Sequence, residues 1–261
     1  MKFICFFLIL VFFQFCNTKK DAEPQNKTEL SQEDFLKNAI KQYPDSLKLI
    51  ENLSAYYLDV QNYDAALAQI NSAIGKDSNN AQLRDYQSII YAAKGDTMEA
   101  IKSLENAITI LPDPQYVIGL GALYAQTKNP LALTMADALL MADKAAAQKE
   151  AYFIKGIYYS YINEKEKAIP FFDKAISIQY TFMDAYLEKG IALYDLKKYS
   201  EAATVLEKAV TIQNNFDRGY YYLGRCFEKL NKKNEAIEAY QMALQYDPNY
   251  LEAKDALGKL Q

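Results

Sequence analysis

The sequence predicts an all-α solenoid of antiparallel helix pairs, and three observations carry that prediction. The first is a column of small residues at a fixed step: counting back from Gly224 in units of 34 gives Gly190, Gly156, Ala122, Ser88 and Ser54. The second is a bulky column, Tyr240, Leu206, Phe172, Ala138, Leu104 and Ile70, flanked in the same step by two mostly small ones. Those are Ala236, Ala202, Ala168, Thr134, Ala100 and Ala66 on one side, and Ala243, Ala209, Ala175, Met141, Ala107 and Ala73 on the other. The third is a change of face within each unit: Tyr220, Leu223, Gly224 and Phe227 share one helical stripe, LNKKN interrupts, and Ala236, Tyr240 and Ala243 share a second stripe up to Pro248. A glycine inside a helix costs about 1 kcal/mol relative to alanine. Its recurrence therefore predicts close approach of the paired helix, with the bulky side chain filling the crossing between two alanines.

The elements follow in chain order. Residues 1–15 read as a signal peptide, with Lys2 ahead of an almost purely apolar run from Phe3 to Phe13. That run is shorter than the roughly 20 apolar residues of a membrane-spanning helix. Cys16 then opens a polar stretch, and the arrangement resembles a bacterial lipoprotein signal, in which such a cysteine becomes the acylated first residue of the mature chain. Phe15 and Phe13 stand where that family usually has a small residue and leucine, so a plain secretory signal or an uncleaved anchor remains the alternative. Residues 16–28 carry the lipid-attachment cysteine and a flexible tether, NTKKDAEPQNKT, whose twelve residues reach roughly 20 Å as a random coil. Residues 29–46 put Leu36, Ala39 and Pro44 in the phase of a second helix, so the array begins with half a repeat. Six units of 34 then tile residues 47–250: 47–80, 81–114, 115–148, 149–182, 183–216 and 217–250. The third is divergent, because Thr134, Ala138 and Met141 replace the small-large-small triplet and Pro130 interrupts, which predicts a shifted second helix or a local bend. Residues 251–261 form a short charged helix that caps the last pair, or a truncated one that leaves an apolar face for self-association.

These residues resemble the tetratricopeptide repeat family. Its pattern of aromatic, Leu-Gly, aromatic, Ala, aromatic, Ala and Pro is matched in the last unit by Tyr220, Leu223-Gly224, Phe227, Ala236, Tyr240, Ala243 and Pro248. The resemblance implies a right-handed solenoid of six full repeats plus terminal half-repeats, whose first helices line a concave groove for an extended peptide or a partner's helix. By the same resemblance the groove faces the second, fifth, ninth and twelfth positions of each unit. These include Glu150, Phe153 and Ile157, then Asp184, Leu187, Ile191 and Tyr194, then Arg218, Tyr221, Arg225 and Glu228. The family's chaperone-binding clamp of lysines and asparagines is absent, since Glu51, Ala55, Tyr86, Tyr116 and Leu120 stand at its positions.

Composition narrows the function further. The 261 residues balance 29 basic against 33 acidic side chains, a net charge of −4, which gives no basic footprint for nucleic acid. No histidine is present, so there is no Ser-His-Asp or Cys-His device and no imidazole metal ligand. Gly119-Leu120-Gly121 lacks the third glycine of a nucleotide loop and lies within a helix, where helix packing explains it. Cys5 leaves with a cleaved signal and Cys16 with acylation, so Cys226 is a lone thiol at an interior phase. The expectation is a non-catalytic scaffold without cofactor or metal, lipid-anchored in a bacterial cell envelope, with a protein or peptide partner. The alternatives are a self-assembling homo-oligomer and an accessory subunit of an envelope enzyme complex.

Overall fold

The computed structural model describes residues 31–141 and 145–261, with the side chains of 145 and 146 left aside; the apolar run, Cys16 and the tether lie outside the described residues. All fourteen described elements are α-helices: α1 Gln32–Gln42, α2 Leu47–Asp59, α3 Tyr63–Lys76, α4 Ala81–Lys94, α5 Thr97–Ile110, α6 Pro114–Gln126 and α7 Leu131–Met141 in the first half. There follow α8 Ala145–Tyr161, α9 Lys165–Ile178, α10 Met183–Asp195, α11 Tyr199–Ile212, α12 Asp217–Lys229, α13 Lys233–Tyr246 and α14 Leu251–Leu260. None of them is long and apolar enough to cross a membrane.

Local chemistry starts several helices. Asn62, Asn80 and Asp113 accept the backbone N–H of Ala65, Leu83 and Gln115 at 3.2, 3.2 and 2.8 Å, satisfying donors that the first turn leaves free. Pro114 at the start of α6 uses a position where its missing N–H costs nothing. Within each full pair the first helix turns into the second through one residue in the left-handed region: Gln61, Gly95, Lys128, Asn163, Lys197 and Asn231.

The small-residue column makes the contact that its composition implies. A Cβ added at Gly156, Gly190 or Gly224 would lie 2.5, 2.8 or 2.7 Å from the side chain of Phe172, Leu206 or Tyr240 respectively. Each of those three bulky side chains is fully buried between two fully buried alanines. Successive pairs are joined by the same packing and by ion pairs across it, such as Lys189 with Asp173 and Lys155 with Asp137, both at 2.6 Å.

The third unit departs from the uniform step. The left-handed residues follow one another at 34, 33, 35, 34 and 34 residues, so α6 enters one residue early and the step then recovers. Tyr124, not Ala125, accepts the turn's closing N–H from Asn129 at 2.8 Å, as Tyr57, Tyr91 and Tyr159 do in their pairs. Gly121, not Ala122, is the close-approach residue: a Cβ there would meet Ile154 Cδ1 at 3.0 Å and Met135 Cβ at 3.2 Å. In α7 the inward residues are Ala132, Ala136 and Leu139, while Thr134, Ala138 and Met141 are exposed, a displacement of two residues from the uniform step. At this crossing Ile154 of the next pair and Met135 of α7 share the space that a single bulky residue fills in the uniform pairs. The next first helix, α8, begins at Ala145, ahead of the 149 that the step assigns.

The buried side chains fall into three clusters along the chain, centred on α1–α4, on α5–α9 and on α10–α13. Helices pack with their neighbours in sequence, and first helices also touch one another, as α2 with α4, α6 with α8, α8 with α10 and α10 with α12.

Candidate partner-binding groove

First helices touch as α2 with α4 and as α6, α8, α10 and α12 in succession, and the face they line is continued to α14 by Tyr221 packed on Tyr250 and by the cleft between α12 and α14. Of the residues expected on it, Asp184, Arg218 and Glu228 are exposed, and Glu150, Phe153, Ile191, Tyr194, Tyr221 and Arg225 are half-buried. Leu187 and Ile157 correct the expectation: at 1% and 8% exposure they belong to the core, because α10 lies close against both α8 and α12 and closes over these positions.

The C-terminal part of the face is organised around Arg225. Its guanidinium lies over the rings of Tyr194, Tyr222 and Tyr221, with centroids 4.6, 5.3 and 5.8 Å away, and donates to the Tyr194 hydroxyl at 3.4 Å. Tyr221 packs in turn on Tyr250 at 4.9 Å, just ahead of α14. No carboxylate of the described residues lies within 4 Å of Arg225 or Arg218. Glu228 accepts the Tyr240 hydroxyl, and that phenol is held far above its usual range, first by burial and then by this carboxylate. An open cleft of about 340 Å3 between α12 and α14 is bounded by Tyr221, Arg225, Glu228, Glu252, Asp255 and Lys259.

The middle carries Phe153, which packs between Phe172 and Phe182 at 5.9 and 5.0 Å, and Glu150, which pairs with Lys149 at 3.3 Å. A second open cleft of about 400 Å3, between α6 and α8, is bounded by Asp113, Gln115, Ile118, Lys149 and Glu150. On α10, Glu188 has its carboxyl raised above the ordinary range by burial, with Arg218 opposing the shift.

The N-terminal part is acidic, and the expected residues did not extend to it. Glu51 is buried, accepts Gln82 Nε2 at 2.7 Å and faces Lys48 at 3.7 Å. Asp85 is raised above the usual carboxylate range by burial and by the nearby Asp113. The same position rule, applied to the first two units, points to Lys48, Glu51, Gln82 and Asp85; the tyrosines around Arg225 at positions 222 and 250 lie off that rule and emerge only from the packing.

Models of the tetratricopeptide repeat match residues 149–182, 184–216 and 218–250. Three of the helix pairs are thus similar to tetratricopeptide repeats. They are the pairs whose close-approach residue is glycine at the uniform step; the matches end where the register shift of α6–α8 begins. Among solved structures, a tetratricopeptide repeat protein from Parabacteroides merdae ATCC 43184 superposes with a TM-score of 0.70 at 20% identity, covering 87% of this chain and 90% of that one. PilW, a type IV pilus biogenesis factor, matches with a TM-score of 0.64 at 19% identity over 80% of this chain and 97% of its own. The Cut9–Hcn1 hetero-tetramer matches with a TM-score of 0.59 at 18% identity over 88% of this chain and 46% of that one. At these identities the likeness is one of fold, and it covers most of the chain. No curated protein matches the chain.

Proposed function

We propose that the chain is a non-catalytic interaction scaffold, held to a bacterial envelope membrane by lipid on Cys16, that takes a peptide or helix of a partner protein along the face of its first helices. The observation that carries this reading is Arg225: a half-buried guanidinium steadied by three phenol rings, with no carboxylate partner among the described residues, at the edge of an open cleft. Arginine offers a planar fork of donors suited to carboxylates, and ring contacts position that fork while only one of its N–H groups is given, to the Tyr194 hydroxyl. Carboxylates toward the N-terminal end, Glu51, Asp85, Asp113 and Glu150, set a direction along the face opposite to Arg218 and Arg225. The bound segment is accordingly basic over α2–α8 and places a single carboxylate, a side chain's or its own terminus, against Arg225 over α12, where Glu228, Glu252 and Asp255 exclude a longer acidic run.

Crosslinking in cells tests both parts. Full-length wild type, an Arg218→Ala, Arg225→Ala double variant and a Cys16→Ser variant are compared by membrane fractionation and by what each captures. The double variant is expected to stay in the membrane fraction with unchanged helicity and to lose the wild-type partner, and Cys16→Ser to leave the membrane fraction. Capture of the same species by wild type and double variant overturns the groove reading; a membrane-bound Cys16→Ser overturns the lipid anchor.

A further inference from the structure

We propose that the two ends of the array are complementary halves of one repeat, and that a second copy of this chain docks head to tail with its α1 against α14. The register fits first. Counted from the first residue of a repeat, α14 covers positions 1–10 and α1 covers positions 20–30, so together they supply most of both helices of a pair; absent are the positions that in the last full repeat end α12, form the turn and start α13. The two helices share no position of the repeat.

Side chains at the two ends fit next. Gly258 stands at the position of Gly156, Gly190 and Gly224; a Cβ there meets nothing within 4 Å, whereas the other three face Phe172, Leu206 and Tyr240. The residue of α1 at the filling position, Leu36, is already buried at 6% exposure within its own chain, so the side chain left for a second copy to cover is its neighbour. That neighbour, Phe35, 62% exposed, stands where Phe171 stacks on Tyr159 at 5.4 Å and where Ala239 is buried in its pair. Leu251 at the start of α14 is likewise exposed, at 68%. Lys254 takes the place of the aromatic at position 4, and Arg84 shows that a basic side chain is accommodated there beside a second helix.

Charge supplies the third match. With α1 of the second copy in place, its α2 lies beside α14 as α4 lies beside α2. In that pairing Gln82, second in its unit, donates to Glu51, fifth in the preceding one, at 2.7 Å. The corresponding pair across the copies is Lys48, whose side chain is 77% exposed, and Asp255. The contact thus continues the interface that every interior pair already makes, and because it is heterologous it propagates as an open chain of copies rather than a closed dimer.

Site-directed crosslinking in the full-length chain decides it. Phe35→Cys and Gln261→Cys are combined in one chain and treated in membranes with a short bis-maleimide, against each single variant as background. The expected result is a ladder of dimers, trimers and longer species several-fold above either single variant. Adding Lys48→Glu is expected to reduce the ladder, and adding Asp255→Lys to that to restore it, a rescue that misfolding would not give. A double-cysteine variant with no ladder above background overturns the proposal, as does a ladder indifferent to both charge changes.

Discussion

The absence of one methyl group at position 224 sets how closely α12 and α13 lie. A Cβ there would sit 2.7 Å from the Tyr240 ring, and that ring has no room to yield, being fully buried between Ala236 and Ala243 with its hydroxyl tied to Glu228. Helix propensity favours alanine over glycine by about 1 kcal/mol, while overpacking a rigid site costs about 1–3 kcal/mol; the second effect wins. Gly224→Leu is therefore expected to lower stability by about 3 kcal/mol, and Gly258→Ala, with open space around it, to raise it by about 1 kcal/mol, both read from urea midpoints at low protein concentration. A neutral Gly224→Leu would mean that the pairing is wrongly assigned. Cys226, two residues on, is fully buried, and burial pushes its thiol up to about 12, so it remains a packed thiol at neutral pH rather than a nucleophile.

At the scale of elements, proline punctuates this chain in two ways. Pro114 starts α6 at no cost, but Pro170 lies inside α9, where it removes one backbone donor and leaves the carbonyl of Glu166 without its helical partner. Pro170→Ala, on an exposed position, is expected to raise stability by about 2 kcal/mol; an unchanged midpoint would mean that the restriction proline places on the unfolded chain offsets the lost hydrogen bond. The helix pairs with glycine at the crossing were legible in the sequence because close approach and a bulky filler restrict residue type at several linked positions. The third unit was legible only as an irregularity. Its one-residue advance is written in Tyr124 and Gly121, which sit beside rather than in their columns, and a fixed step passes over such a change. The groove was less legible still. Position rules found Arg225 and Tyr221, but they also named Leu187, whose burial depends on how tightly neighbouring first helices close, a property of the whole curve.

For the whole molecule, the governing fact is that, among the described residues, each helix packs mainly with its near neighbours in sequence. Stability is then a sum of local pairs and their interfaces. Ending the chain after Tyr250 removes α14 and uncovers the last pair, so hydrogen exchange is expected to quicken in α12 and α13 and to stay unchanged in α2–α5; a uniform acceleration would show that the array opens as one unit. The same locality governs how the chain acquires its form. Loops close over a few tens of residues, so no pair waits for a distant segment before its contacts reward the closure. As residues emerge from a ribosome or a translocation pore, each completed pair offers its exposed side as a template for the next, and the C-terminal residues are not needed until last. In a chain built this way the first repeats are already packed while the final helix is still being delivered.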